Sequence, residues 1–241
     1  MAQKKVNAVI HSQEKLAEGI YSMWLDAPEM AKAAVPGQFI AVYTNDQSKL
    51  LPRPISICEA DKENGRLRIV YRIAGAGTKE FSAYKEGDTL DIMGPLGNGF
   101  PLKKKKAFLI GGGIGIPPML ELAKNLDCEK TAVIGYRDKE TFLADELRKY
   151  ADVVIATEDG SVGTKGNVID AIRAEKLTAD IIYACGPTPM LKALKTYAME
   201  NGIECYISLE EKMACGIGAC LGCVCHSKDI DEHSNVRNKR I

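Results

Sequence analysis

Ala107-Phe108-Leu109-Ile110-Gly111-Gly112-Gly113-Ile114-Gly115-Ile116-Pro117-Pro118 is the stretch whose reading decides the fold. Four apolar residues in succession suit a strand covered on both faces. The glycines after them suit a turn whose backbone a ligand can approach, and a proline at 117 suits the first turn of a helix, where its missing N–H is not needed. A strand that ends in glycines and opens a helix puts those glycines at the carboxyl edge of a parallel sheet, where nucleotides bind. The run departs from the Gly-x-Gly-x-x-Gly of ordinary dinucleotide folds, so Gly111, Gly112, Gly113 and Gly115 are candidates on context rather than on pattern.

Downstream the rhythm repeats, with strands expected at 131–136, 153–157, 181–184 and 205–209 and helices at 117–126, 140–150, 168–175 and 189–201. Apolar strands alternating with helices predict a parallel sheet covered on both faces, an α/β nucleotide domain over residues 101–210. A second turn, Cys185-Gly186-Pro187-Thr188-Pro189-Met190, follows strand 181–184 at the same sheet edge. Two such turns suggest one cleft, with Cys185, Gly186, Pro187 and Met190 as binding candidates and Cys185 as a packing residue rather than a reactive thiol. The choice between NAD and NADP stays open: Arg137 suits a 2′-phosphate and Asp138 a free ribose hydroxyl.

Upstream, short alternating runs at 38–42, 55–58 and 67–73, separated by Gly and Pro, predict antiparallel strands closing into a small β-barrel over residues 1–100. Gly94-Pro95-Leu96-Gly97-Asn98-Gly99 is expected to break regular structure and mark the domain boundary. Within the barrel Arg53-Pro54-Ile55-Ser56 lies on an expected strand and Gly75-Ala76-Gly77-Thr78 at an expected helix start. Together they describe a diphosphate site, with Arg53 supplying a planar fork, Gly77 and Thr78 supplying amides, and Ser56 directed at a flavin ring.

The 241 residues carry 32 Lys plus Arg and 32 Asp plus Glu, so no net charge draws a phosphate backbone, and nucleic acid is not an expected partner. The lysines at 103–106 read as a solvated loop entering a strand. The first 20 residues lack a signal-peptide core and no 18-residue apolar run occurs, so a cytoplasmic protein without a membrane span is expected. In that compartment cysteines point to metal or redox chemistry rather than disulfides. Cys58, Cys128, Cys185 and Cys205 are scattered, whereas Cys215, Cys220, Cys223 and Cys225 crowd into the segment after residue 210.

Cys215-x4-Cys220-x2-Cys223 is the spacing of plant-type [2Fe-2S] loops. Gly216, Gly218 and Gly222 fit a loop that needs unusual backbone angles and N–H groups turned toward sulfur. Zinc would use Cys-x2-Cys pairs separated by a longer arm, and only one such pair is present. Cys215, Cys220 and Cys223 are therefore assigned as metal ligands, Cys225 as a neighbour, and the fourth ligand is expected beyond Ile241. His11, His226, His233 and the single Trp24 show no ligand spacing.

In this order, Arg-Pro-x-Ser, Gly-Gly-Gly-x-Gly and Cys-Gly-Pro-x-Pro-Met resemble the ferredoxin-NAD(P) reductase family over nearly the whole chain. The tail 210–223 is similar to the branch that serves class 1B dihydroorotate dehydrogenases in electron transfer. The resemblance implies FAD held by Arg53, Pro54, Ile55, Ser56, by Val70, Tyr71 and Arg72, and by Gly77 and Thr78. It implies NAD at the two glycine turns, and a heterotetramer with a catalytic subunit that carries FMN. No side chain is expected to act as a catalytic nucleophile; the chain is expected to place cofactors for an oxidoreductase of pyrimidine biosynthesis. The alternatives are a flavin and iron–sulfur subunit of a sulfide dehydrogenase or of a ferredoxin-linked transhydrogenase, and a non-enzymatic nucleotide-binding protein holding zinc. The residues thus lead to a β-barrel, an α/β parallel-sheet domain and a small [2Fe-2S] segment at 211–241.

Overall fold

A computed structural model of the chain describes residues 4–46, 48–211, 213–220, 222–228, 230 and 237–240. Lys212 and Leu221 of the cysteine segment, and His233, lie outside the described residues.

The first part is a closed antiparallel barrel built from β1 (Lys4–Ala17), β2 (Ile20–Asp26), β3 (Phe39–Val42), β4 (Arg53–Asp61), β5 (Arg66–Arg72) and β6 (Thr89–Leu96), in the order β1-β2-β5-β4-β3-β6. Helix α1 (Pro28–Ala33) follows β2, and α2 (Ala76–Phe81) follows β5. Alternation along each strand sends Ile40 and Val42, Ile55 and Ile57, Ile69 and Tyr71 into one interior cluster. Each large aliphatic side chain so buried stabilises the fold by about 1.5–3 kcal/mol. Closure pairs β1 with β6, which leaves no open edge between them.

Regular structure does not stop at Gly94, as the sequence suggested. Strand β6 runs to Leu96, with Gly94 opposite Lys4 and Leu96 opposite Phe39. Pro95 is tolerated because the pairing with β3 shifts register between Phe39 and Ala41, so the residue with no N–H falls at a bulge.

The second part is a six-stranded sheet of β7 (Ala107–Gly112), β8 (Lys130–Tyr136), β9 (Asp152–Thr157), β10 (Thr164–Lys165), β11 (Ile181–Cys185) and β12 (Glu204–Ser208), all parallel, in the order β10-β9-β8-β7-β11-β12. Helices α3 (Pro117–Asn125) and α4 (Ala144–Leu147) lie on one face, and α5 (Val168–Ala174) and α6 (Thr188–Asn201) on the other. The helix expected over 140–150 is only Ala144–Leu147. Asp138 takes the Glu140 N–H at 2.9 Å, the Tyr136 hydroxyl donates to the Phe142 carbonyl at 2.6 Å, and Leu143 is left-handed at φ 65°, so no helical turn forms before Ala144.

The lysines at 103–106 do form a loop into β7, tied down by Lys103 and Lys105 to Glu204, Lys104 to Asp127 and Lys106 to Glu129. A short hairpin, β13 (Val224–His226) with β14 (Asn238–Arg240), follows the cysteine loop. No helix among the described residues is long and apolar enough to cross a membrane.

Candidate functional site

Strand order reverses at β7: β8, β9 and β10 lie to one side, β11 and β12 to the other. The carboxyl ends of β7 and β11 therefore flank the topological switch point, where open α/β sheets bind ligands. The turn Gly111–Gly115 leaves β7 there, and Cys185–Met190 leaves β11 beside it. Most of these glycines serve the two turns rather than an open cleft. A Cβ on Gly115 would sit 2.2 Å from the Cys185 carbonyl oxygen, one on Gly112 2.7 Å from Met190 Sδ and 2.9 Å from Pro187 Cδ, and one on Gly186 3.0 Å from the Gly112 nitrogen. Gly111 meets Ile116 in the same way. Gly113, at φ 52° with nothing within 4 Å, is the position in the first turn that faces open space.

Cys185 is held within this interlock, and burial pushes its thiol up to about 11 although the Ser208 side chain hydrogen-bonds to it. A thiol held mostly protonated is a poor nucleophile, and Cys185 is half-buried among the two turns. Ser208, on the adjacent strand β12 and paired with Cys185, was not singled out from sequence because no local pattern links the two.

On the barrel, β4 and β5 carry the flavin candidates. Ile55, Ile57, Ile69 and Tyr71 point inward, so Pro54, Ser56, Val70 and Arg72 occupy the outer wall. Pro54 is exposed and Ser56 half-buried. Val70 packs with Leu109 and Ile116 of the second part, and β5 touches the turn Gly113–Gly115. The outer wall of the barrel thus abuts the glycine turn. Tyr71 is turned away from that wall: its hydroxyl donates to Gln13 at 2.8 Å, its ring stacks on Tyr21, and burial raises its pKa. Only its backbone remains on the outer side for a ligand.

Arg53, at the start of β4, lies over the first turn of α2. A Cβ on Gly77 would fall 2.1 Å from Arg53 Nε, so glycine alone lets the guanidinium rest there. Thr78 Oγ1 accepts the N–H groups of Ala74 (2.9 Å) and Gly75 (3.2 Å), which folds the Gly75–Thr78 segment into the start of α2. Arg53 also donates to the Leu51 carbonyl at 2.5 Å, leaving the rest of its fork available for an anion.

The cysteine loop lies against the same barrel. Ile40 and Val42 of β3 point inward, so Ala41 points out, yet Ala41 is fully buried. The loop reaches that side: a Cβ on Gly216 would lie 3.4 Å from Leu96 Cδ1 and 3.9 Å from Ala41 Cβ. Ala41 pairs with Pro54 across the ladder, so the loop sits one strand from the Arg53–Ser56 segment. Gly216 (φ 69°) and Gly218 (φ 75°) give the loop its turns.

Those turns aim N–H groups at sulfur. Burial raises the Cys215 pKa, but the backbone N–H groups of Ile217, Cys220 and Ala219 and the Cys220 side chain lower it further, to about 6. Cys223 is raised, first by burial and then by the charges of Cys215 and Cys220. Among the described residues no three His, Cys, Asp or Glu side chains converge tightly enough to hold one metal ion. The donor set, its spacing and the amides directed at Cys215 fit the cluster.

Comparison with known proteins agrees with this arrangement. Residues 7–100 match the oxidoreductase FAD-binding domain, and residues 210–241 match the iron-sulfur cluster binding domain of dihydroorotate dehydrogenase B. The chain is 45% identical to the dihydroorotate dehydrogenase B (NAD(+)) electron transfer subunit of Streptococcus mutans, over 97% of this chain and 93% of that protein. It is 43% identical to that of Geobacillus sp. strain WCH70, over 93% and 90%. A chain of the NADH-dependent reduced ferredoxin-NADP oxidoreductase, a flavin-based electron bifurcating enzyme, superposes with TM-score 0.86 at 32% identity, over 97% of this chain and 87% of that one. A ferredoxin NADP+ reductase from Neisseria gonorrhoeae shares the fold at TM-score 0.70 and 17% identity, over 86% and 99%.

Proposed function

The chain belongs to the family of dihydroorotate dehydrogenase B (NAD(+)) electron transfer subunits, and from that premise we propose that it carries electrons from a catalytic partner subunit through a [2Fe-2S] cluster and FAD to NAD+ in pyrimidine biosynthesis. The partner carries FMN, the assembly is a heterotetramer, and it works in the cytoplasm. Residues 1–100 form the FAD-binding unit, 101–210 the NAD-binding unit and 211–241 the cluster segment.

The observation that carries this reading is the approach of Gly216 to the buried Ala41, on the barrel wall whose other side abuts the Gly113–Gly115 turn. The cysteine loop and the glycine turn thus both lie against the outer wall of the barrel that carries Arg53. When bound, FAD supplies a centre that exchanges electrons as a hydride or singly, and the cluster one that carries single electrons.

The chain's own residues supply placement. Arg53, resting on Gly77, neutralises a diphosphate, and Pro54, Ser56 and Thr78 line its approach, with Ile55 offering only its backbone. Val70, Tyr71 and Arg72 offer backbone along β5, the Val70 side chain being buried in the apolar seam. Gly111, Gly112, Gly113, Gly115, Cys185, Gly186, Pro187 and Met190 form the nicotinamide side, where the protonated Cys185 adds no competing charge. Hydride transfer needs reacting atoms about 3–3.5 Å apart, and rigid turns serve that need. Cys215, Cys220 and Cys223 hold the cluster, with amides of Ile217 and Ala219 supporting its sulfur charge.

The test is reconstitution. Dihydroorotate should reduce NAD+ only when this chain is combined with a class 1B catalytic subunit. Failure to associate with that subunit, or activity with sulfide or reduced ferredoxin instead, would overturn the proposal.

A further inference from the structure

Arg68 of β5 is a buried cation, with its side chain 6% exposed, in a protein whose other basic residues are mostly solvated. It lies on the outer wall of the barrel and lends every arm of its fork to a partner. Nε donates to Ser22 Oγ at 2.9 Å, Nη2 to Glu146 Oε1 at 3.1 Å, and Nη1 to the other Glu146 oxygen. Glu59 stands 3.5 Å away and Glu14 3.7 Å, and the guanidinium lies over the Trp24 ring at 5.7 Å, Trp24 being its ladder partner.

Ser22, Glu14, Glu59 and Trp24 belong to the barrel, whereas Glu146 belongs to α4, under the parallel sheet. The bidentate pair therefore bridges the two parts of the molecule. Helix α3 adds two further ties to β4. Lys124 pairs with Glu59 at 2.6 Å, and the buried Glu121 accepts the Ala60 N–H at 3.0 Å.

Resting on the flavin–NAD reading above, we infer that Arg68 is a positioning residue for hydride transfer. Its pairing with Glu146 fixes how the nicotinamide side sits against the flavin strand. Val70, which touches the glycine-turn domain, lies two residues further along the same face, about 7 Å from Arg68. Helix α3 opens from that same glycine turn. An apolar seam alone is non-directional and tolerates sliding. A bidentate guanidinium–carboxylate pair has one register, and burial of the Arg68 guanidinium penalises any other. Displacement of reacting groups by 1 Å costs on the order of 100-fold in rate, so a register device about 7 Å from the contact acts on the chemistry without touching a cofactor.

The test uses the full chain in complex with its catalytic partner, loaded with FAD and cluster, and follows anaerobic flavin reduction by NADH in stopped flow. Arg68→Met should slow that step at least tenfold, while FAD content, cluster absorbance and the KM for NADH stay within twofold of the parent. Glu146→Gln, on a partly exposed helix residue and unable to offer two charged oxygens, should slow it by a smaller factor. Arg68→Lys, which keeps the charge and loses the fork, should fall between Arg68→Met and the parent. Should Arg68→Met fail to fold, the Glu146→Gln and Arg68→Lys rates decide. Parental flavin-reduction rates in the folded variants, with only the melting temperature lowered, would overturn the inference and leave the function standing. Failure of the parent complex itself to reduce flavin with NADH would instead overturn the function.

Discussion

The glycines of 111–115 and those of the cysteine loop look alike in sequence and do opposite things in space. At Gly111, Gly112 and Gly115 the missing side chain is occupied: atoms of Cys185, Met190, Pro187 and Ile116 stand where a Cβ would be, Gly113 alone facing open space. In the second, Gly216 would meet Leu96 at an ordinary 3.4 Å, and what glycine supplies is a left-handed backbone at φ 69°. The first region is ordered by its own packing. Among the described residues of the second, Cys223 is buried and Gly216 lies beside Leu96, and a cluster held by the sulfurs would add to this order.

Cys220→Ser tests that contrast most severely. Cluster absorbance should disappear entirely while FAD stays bound and the main thermal transition stays within about 2 °C, an effect below 1 kcal/mol for a chain of this size. A collapse of the main transition together with the cluster would erase the distinction.

Gly115→Ala comes next, because its new methyl meets the Cys185 carbonyl at 2.2 Å. Overpacking of this kind should destabilise by about 3 kcal/mol, or about 6–12 °C in calorimetry. Gly113→Ala, which meets nothing but holds φ 52°, should lose only about 1 kcal/mol. Equal losses at the two positions would show that backbone angle, not space, governs the first region.

Gly216→Ala should act through angle alone, at about 1 kcal/mol of local strain. It should shorten the lifetime of the cluster toward a chelator without moving the main melt. Gly216→Asn should recover part of that lifetime, since Asn tolerates the left-handed region better.

The smallest effect concerns the linker between barrel and sheet. Lys103, Tyr206 and Lys105 hydrogen-bond Glu204 and lower its pKa from 4.5 to about 2. Because the folded value is the lower one, this tie contributes above pH 4.5 and is lost as pH falls toward 2. Glu204→Gln should therefore melt nearer to the parent at pH 3 than at pH 7 in urea titrations. A gap that widens on acidification would show that the tie has another origin.

These contrasts also explain what the sequence disclosed. Strands β7 and β11 were legible because both their faces are covered, which writes continuous apolar runs into Ala107–Ile110 and Ile181–Ala184. The cysteine spacing was legible because cluster chemistry is local in the chain. Strand β1 was not, since its register is set by β2 and by β6, with Val6 facing Ile92 and Ser12 facing Trp24. Nor could Arg68 be told from any surface arginine, because Glu146 lies 78 positions away and no repeat or spacing announces it. The same holds for the approach of Gly216 to Ala41, which comes from the far end of the chain.

The apolar cluster that joins Ile20, Cys58 and Val70 of the barrel to Leu109, Ile116 and Met119 beneath the sheet has a practical corollary for anyone dissecting this molecule. A scission after Phe100 would not release two self-sufficient modules. Each piece would carry half of a torn oily patch, and the severed barrel should clump unless a detergent or its missing neighbour shields the wound.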